Sequence, residues 1–271
     1  MSPAARGLLV SALIGLPAAA WIGWKYRDAL PFPARGADSS PLTERGAAER
    51  SRARGKWPTY PAAREAAAVR RQKLAERWEA AAPADRPGIL REAAAALSDT
   101  VGNQLAPFWY GTRWDFNGTT ETPQEGAIAC GYFVCTLMKH AGLNVERVRL
   151  SQQASQNIIL TLTASPYLHK GHGMPLADFV AKIKGLGPGL SIVGLDNHVG
   201  ILWHDGTELW FLHSTVAETR DVIKERASES AVLGNSKYRI AGQITADPAL
   251  LTAWLTGKPL PTWKPQATAN K

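Results

Sequence analysis

Both cysteines of the chain lie within the nine-residue stretch AIACGYFVC, as Cys130 and Cys135. Two thiols five residues apart could form a disulfide, bind a metal ion, supply a nucleophile or pack in a core. Inside one helix, five residues rise about 7.5 Å and turn the side chain by about 140°, whereas a disulfide needs Cα atoms within about 7 Å. If the stretch is helical, an internal disulfide is therefore not expected.

Metal binding by the same cysteines has little support. A zinc site pairs such thiols with a second pair of Cys or His residues at similar spacing, and His169 and His172 in the stretch HKGH could add two ligands. We interpret HKGHGMP instead as a polar loop between helices. We expect neither a metal ion nor any other cofactor.

The two thiols differ in their position on a predicted helix. The pattern predicts a helix from about Gly126 to His140, stopped by Gly142, and Cys130 lies where it begins, whereas Cys135 lies inside it and is assigned to the core. A thiol at a helix start faces the positive end of the helix dipole, which is worth at most about 2 kcal/mol. That leaves the thiol only about half ionised at neutral pH. Full activation needs a neighbouring base, typically a histidine.

Three of the six histidines fall in the stretch LDNHVGILWHDGTELWFLHSTV. His198 opens a predicted strand and His213 closes the next, so the two meet in an antiparallel hairpin, while His204 lies at the distal turn. One ring can then face the thiol while the other orients it, as in nucleophile, base and orienter sets. Taken singly, each histidine could be an ordinary polar strand residue.

The wider pattern is one of helices followed by strands. The predicted helices, besides the one at the cysteines, cover about 61–82, 89–97, 147–162 and 176–185. The predicted strands are GLSIVGL, HVGILWH, TELWFLHS and SKYRIAGQIT. This order, with short turns between strands, indicates an α+β fold with helices packed on an antiparallel sheet.

The front of the chain differs in composition from the rest. Residues 7–24 carry no charge, so residues 1–28 are predicted to form a signal anchor or a signal peptide. Residues 29–60, rich in Pro, Gly, Ser and Arg, are predicted to be a flexible linker. A helical extension, a folded body and a C-terminal tail are then expected at 61–100, 101–258 and 259–271. Either front segment would leave the body membrane-anchored in the periplasm or secreted.

The net charge of +8 is concentrated at the front of the chain. Residues 1–60 hold nine of the 31 Lys/Arg residues but only four of the 23 Asp/Glu residues. The body is therefore close to neutral, which argues against a nucleic-acid partner. The expected partner of the front segment is the membrane.

The ordered set of motifs resembles the NlpC-type cell-wall peptidase family, which has a papain-like fold. The stretch FWYGTRWDFNG precedes IACGYFVCTLMKHAGL, and NHVGILW is followed by WFLHSTV. The resemblance covers roughly residues 105–245 and implies a papain-like thiol hydrolase core. By position, it implies Cys130 as the nucleophile, His198 as the general base and His213 as the third, orienting residue.

The sequence also departs from the family pattern. The Asp before the family's cysteine is Ala129 here, and the Ser after it is Gly131. A segment at about 143–189 resembles an insertion over or near the cleft. Aromatic residues expected to line the substrate cleft are Trp109, Tyr110 and Trp114.

The resemblance implies a cysteine peptidase or amidase that cleaves amide bonds by a Cys-His-His mechanism, with peptidoglycan peptides as the substrate class. Related papain-like families use the same residue set as acyltransferases or deamidases. The altered residues beside Cys130 leave a second hypothesis open, which is a catalytically degenerate binding or scaffold protein on the same fold.

Overall fold

A computed structural model of the chain describes residues 40–217 and 219–264. The fold is α+β, with helices packed on a six-stranded open sheet, so the predicted fold class is confirmed at that level. The α-helices of the described residues are α1 (Pro41–Lys56), α2 (Tyr60–Ala80), α3 (Arg86–Asp99), α4 (Ala106–Trp109), α5 (Cys130–His140), α6 (Arg147–Ser151), α7 (Ser155–Leu162), α8 (Leu176–Lys184), α9 (Ala231–Asn235) and α10 (Pro248–Thr256).

Every pair of neighbouring strands in the described sheet is antiparallel. Its strands are β1 (Leu168–Lys170), β2 (Gly189–Leu195), β3 (Val199–His204), β4 (Leu209–Ser214), β5 (Val222–Arg226) and β6 (Arg239–Gln243). The order across the sheet is β1-β6-β2-β3-β4-β5. Strands β2 to β5 therefore form a meander, and β6 returns to pair with the free side of β2.

Alternate residues of the strands belong to two different hydrophobic clusters, because successive side chains of a strand point to opposite faces of the sheet. Ile192 and Ile201 belong to the larger cluster, which includes residues of α2, α3, α5, α7 and α10. Val193 and Leu202 belong to the smaller cluster, where Phe179 of α8 packs. The sheet is thus covered on both faces, and α5 is held against β3 and β4.

The expectation of a flexible linker at 29–60 is corrected for the part that the structure describes. Helix α1 occupies residues 41–56, and its N-terminus is capped by Ser40, whose Oγ accepts from the N–H of Thr43 at 3.3 Å. The helix packs against the body through Glu49, whose carboxylate contacts the ammonium of Lys224 at 3.0 Å. Because tertiary contacts rather than an apolar stripe hold α1, hydrophobic periodicity did not predict it.

Helices α2 and α3 follow the predicted segments closely. Helix α3 continues through a π-helical turn, Thr100–Leu105, into α4. The predicted helix at 147–162 is two helices, α6 and α7, and β1 and β5 were not predicted. His169 lies on β1 and not in a loop, so the prediction that the whole HKGH stretch is a loop was wrong.

The predicted anchor or signal peptide at 1–28 lies outside the described residues, and so do residues 265–271 of the predicted tail. Within residues 40–217 and 219–264, no helix combines the length and the apolar character needed to span a bilayer.

Candidate active site

Cys130 is the first residue of α5, and the chain leading to it is fixed by hydrogen bonds. The N–H of Ile128 donates to the carbonyl of Arg113 at 2.9 Å, and the N–H of Ala129 donates to that of Gly118 at 2.9 Å. The hydroxyl of Ser214, at the end of β4, donates to the carbonyl of Ile128 at 2.6 Å. The start of α5 is therefore tied to the same end of the sheet where β4 ends.

The Cys130 thiol is half-buried and lies against backbone N–H groups. Burial raises the pKa of this thiol, and hydrogen bonds from the N–H groups of Val199, Gly131 and Cys130 itself oppose that rise. The net effect is upward, so the lowered pKa expected from the helix dipole alone is corrected. The contact with Val199 also places the sulfur beside the backbone of the residue that follows His198.

His198 is positioned by the tight turn that joins β2 to β3. The N–H of Leu195 donates to the carbonyl of His198 at 2.8 Å. The turn residue Asp196 is held in place because its carboxylate accepts from the hydroxyl of Ser236 at 2.8 Å and from the N–H of Lys237 at 2.7 Å. These contacts fix the backbone from which the His198 ring projects.

The hairpin of β3 and β4 brings two imidazoles together. Nε2 of His198 lies 2.9 Å from Nδ1 of His213, and the rings meet edge to face. His198 is half-buried and the His213 side chain is fully buried. Burial, together with the neighbouring His213, holds the pKa of His198 well below its ordinary value.

A carboxylate extends this series on the next strand. Nε2 of His213 lies 3.1 Å from Oε1 of Glu225 on β5, whose side chain is 8% exposed. Sequence analysis missed Glu225 because β5 was not predicted. The available signal was the β-branched pair Val222 and Ile223 at the start of VIKER, a stretch in which Glu225 is buried while Arg226 is exposed.

The imidazoles are held by a tightly packed aromatic ring. Phe211 stacks on His213 with ring centroids 3.9 Å apart and meets His198 edge to face at 6.1 Å. A side chain at Gly200 would collide with Phe211 and approach the Cβ of His213 at 3.0 Å. Because Gly200, within the stretch NHVGILW, has no Cβ, the Phe211 ring can occupy this space and contact both imidazole rings.

Helix α6 forms one wall beside the cysteine. A Cβ at Gly131 would lie 2.5 Å from the carbonyl oxygen of Ser151 in α6. A serine, the residue that the resembled family has at this position, cannot fit without moving α6. Cys135 faces the same wall in the core; it is fully buried, and burial raises its pKa to about 12.

The three aromatic residues expected at a substrate cleft are not brought together. Trp109 is fully buried and donates from Nε1 to the hydroxyl of Tyr60 at 2.9 Å, and Tyr110 is 1% exposed. Neither ring is open to a substrate, so the expectation is corrected for both. Trp114 is half-buried, and its N–H donates to the carbonyl of Arg220 at 2.8 Å in the loop that follows β4.

Among the described residues, no group of three or more His, Cys, Asp or Glu side chains is arranged to hold a metal ion. The arrangement instead joins two imidazoles and a carboxylate by contacts of 2.9 and 3.1 Å, and the Cys130 thiol lies against the backbone N–H of Val199, the residue after His198. Such a series can take a proton from sulfur and stabilise the imidazolium that results. Comparison of the chain with protein-family models, with curated proteins and with solved structures found no match.

Proposed function

We propose that this protein is a papain-like thiol hydrolase that cleaves amide bonds. Cys130 is the nucleophile, His198 the general base and His213 the residue that orients His198. The observation that carries the proposal is the 2.9 Å contact between the His198 and His213 rings, at the end of the sheet where the Cys130 thiol meets the N–H of Val199. A hydrogen-bonded histidine pair, one member of which precedes the residue whose N–H meets a thiol at a helix start, supports the assignment of an activated nucleophile.

The reaction proceeds in two stages. Sγ of Cys130 attacks the amide carbonyl carbon while the thiol proton passes to His198, which then protonates the leaving amine as the C–N bond breaks. Water then attacks the resulting thioester while one of its protons passes to His198. The C–S bond breaks, and the Cys130 thiolate takes a proton back from His198. Each step moves one proton through one imidazole, so no cofactor is required.

The oxyanion of the tetrahedral intermediate would lie at the N-terminus of α5. The first-turn N–H groups of a helix have no intrahelical partner, and they form the positive end of its dipole. No side chain caps this helix at Ala129, so the N–H groups of Cys130 and Gly131, which meet the sulfur at rest, would be able to pass to a substrate oxygen once Sγ attacks. Fixed donors of this kind are typically worth about 10²–10³ in rate.

The proposed substrate class is the peptide of peptidoglycan, and it rests on the resemblance of the motifs to NlpC-type peptidases. The half-buried Trp114 is the remaining candidate for a wall of the cleft. A membrane anchor or signal peptide at 1–28 would bring the body to a periplasmic or secreted location, where this substrate lies.

The experiment is digestion of purified peptidoglycan by the full chain in ¹⁸O-labelled water, with the products analysed by mass spectrometry. A hydrolase releases fragments whose new carboxyl groups carry the heavy oxygen, whereas an acyltransferase joins the acyl group to another amine without it. We expect labelled fragments from the wild type and none from Cys130→Ala.

Cys135→Ala is the matched control, because it removes the other thiol while Cys130 stays in place. We expect it to retain activity. Products from Cys130→Ala would contradict the assignment of the nucleophile. Absence of products from wild-type protein whose Cys130 is reactive toward iodoacetamide would reject peptidoglycan as the substrate but not the thiol chemistry.

A binding or scaffold protein is the second candidate, and one observation favours it. The raised pKa of Cys130 and the lowered pKa of His198 disfavour a thiolate–imidazolium pair at rest. If Cys130 in the folded protein reacts with iodoacetamide no faster than Cys135, this candidate replaces the hydrolase.

A further inference from the structure

We propose that Glu225 is a positioning residue of the same site: its carboxylate fixes the proton of His213 on Nε2, and this sets the tautomer in which His198 faces the thiol with an unprotonated Nδ1. The inference rests on the proposed function for its catalytic meaning. The proton arrangement itself can be tested without any substrate.

The first step concerns the contact between Glu225 and His213. An ionised carboxylate accepts hydrogen bonds and cannot donate them. At 3.1 Å from Oε1 of Glu225, Nε2 of His213 must therefore carry the proton that is donated. A neutral imidazole has one N–H, so Nδ1 of His213 is left with a lone pair.

The second step transmits this arrangement to His198. Nδ1 of His213 can only accept, and it lies 2.9 Å from Nε2 of His198. Nε2 of His198 therefore carries the N–H, and its Nδ1 carries the lone pair. Nδ1 is then the nitrogen that takes the proton from Cys130, whose sulfur hydrogen-bonds to the N–H of Val199 next in the chain.

The packing keeps both rings in this orientation. The side chain of His213 is fully buried, and that of Glu225 is 8% exposed, so water has little access to their contact. Phe211 stacks on His213 at 3.9 Å, so a flip of the ring would disturb this stacking as well as break both hydrogen bonds. Packing therefore holds the orientation of the His213 ring, and the carboxylate determines which nitrogen of that ring carries the proton.

The charge of Glu225 has a second effect during the reaction. When the proton moves from Sγ of Cys130 to Nδ1 of His198, an imidazolium forms where burial disfavours it. No further proton moves, because His198 and His213 each keep their Nε2–H. The negative charge stabilises the new positive charge through the His213 dipole, as the carboxylate of a catalytic triad does through contact with one ring.

The neighbouring residue on β5 does not cancel this charge. Lys224 precedes Glu225 and points to the opposite face of the sheet. Its ammonium contacts both carboxylate oxygens of Glu49 in α1, at 3.0 and 3.2 Å, and lies over the ring of Trp210 at 4.2 Å. The lysine is thus neutralised away from the histidine pair.

The test is ¹⁵N NMR of the histidine rings in the full chain, since two-bond couplings distinguish the two tautomers. Signals are assigned by their loss from His198→Ala and His213→Ala. We expect both rings of the wild type to carry the proton on Nε2. We expect the Nδ1–H form of His213 to gain population in Glu225→Leu, which removes the acceptor. We expect the same in Glu225→Gln, because its amide can donate as well as accept.

The matched control is Glu229→Gln, an exposed glutamate near β5 that pairs with Arg226 at 3.1 Å and should leave both tautomers unchanged. A second readout is the rate of Cys130 alkylation by iodoacetamide, which we expect to fall in Glu225→Leu by less than the factor of about 10² that loss of the general base itself would cause.

Two results would overturn the inference. One is a wild-type His213 protonated on Nδ1, and the other is an Nε2–H pattern that persists in both Glu225 variants. Failure of the proposed function gives a different result, because peptidoglycan would then stay intact while the Glu225-dependent tautomers remain.

Discussion

At the scale of single residues, the candidate site consists of groups whose charged forms are disfavoured by burial. Burial raises the pKa of the Cys130 thiol and lowers that of the His198 imidazole. These directions favour a thiol and a neutral imidazole at neutral pH, and in the proposed mechanism charge would develop only as a carbonyl is attacked. This explains why a carboxylate two rings away from the sulfur matters for the chemistry.

The two thiols should differ in reactivity. We expect iodoacetamide to label Cys130 at least about tenfold faster than Cys135 in the folded protein, because Cys135 is fully buried with a pKa near 12 and the thiolate is the reactive form. Peptide mass spectrometry over a labelling time course measures both rates. In denaturant the two rates should converge, and equal labelling of the folded chain would contradict the assignment.

At the scale of elements, the contact between α5 and α6 fixes the position of Cys130, the proposed nucleophile. Gly131 follows Cys130 directly, and the backbone of Ser151 occupies the space that a side chain at Gly131 would need. The position of α6 is further fixed by Arg147, whose Nε donates to Thr136 of α5 at 2.7 Å. Cys130 is therefore placed by the approach of two helices.

Gly131→Ala should destabilise the protein by about 1–3 kcal/mol, the usual cost of an added methyl in a packed site, and should lower Cys130 reactivity. The free energy of unfolding in urea measures the first effect and alkylation the second. Gly55→Ala in α1 is the control, since a Cβ there meets nothing within 4 Å, and it should stabilise by about 0.5–1 kcal/mol. If Gly131→Ala changed neither the free energy of unfolding nor the alkylation rate, α6 would not constrain Cys130.

The elements that sequence analysis predicted are those with strong local signals. The hairpin of β3 and β4 has apolar runs around an Asp-Gly turn, so its strand ends, and the meeting of His198 with His213, could be inferred. Strand β5 has only five residues, and its last three, Lys224, Glu225 and Arg226, are all charged, so Glu225 could not be placed. The role of Glu225 depends on its contact with His213 on β4, and the local sequence pattern does not predict that contact.

At the scale of the whole molecule, the N-terminal helices share the core of the sheet domain. The hydroxyl of Tyr60, the first residue of α2, contacts Nδ1 of His140 at the end of α5 at 2.9 Å and accepts from Trp109 at 2.9 Å. Nε2 of His140 lies 3.4 Å from Glu121. This polar series passes from α2 to the far end of the helix that begins at Cys130.

His140 should make the fold sensitive to acid. Burial lowers its pKa to about 4 from the ordinary 6.5, so the unfolded chain binds more protons than the native one between these values. Stability is therefore lost as the pH falls from about 6.5 to about 4, by up to about 3 kcal/mol. Urea unfolding measured across this range tests the slope.

The variant that removes this proton site is His140→Gln, which keeps hydrogen-bonding capacity toward Tyr60. We expect its stability to depend less on pH over the same range, even if it is less stable at neutral pH. His172→Gln, at an exposed position, is the control and should keep the wild-type slope. An unchanged slope in His140→Gln would assign the acid sensitivity to other groups.

The central claim is that His198 takes the proton of Cys130, and the most direct measurement is the second-order rate of Cys130 alkylation at neutral pH in wild type and in His198→Ala. His204→Ala, at the distal end of the same strand, is the control. We expect the rate to fall by about 10²-fold in His198→Ala and to stay unchanged in His204→Ala. Equal rates in all three proteins would contradict the account.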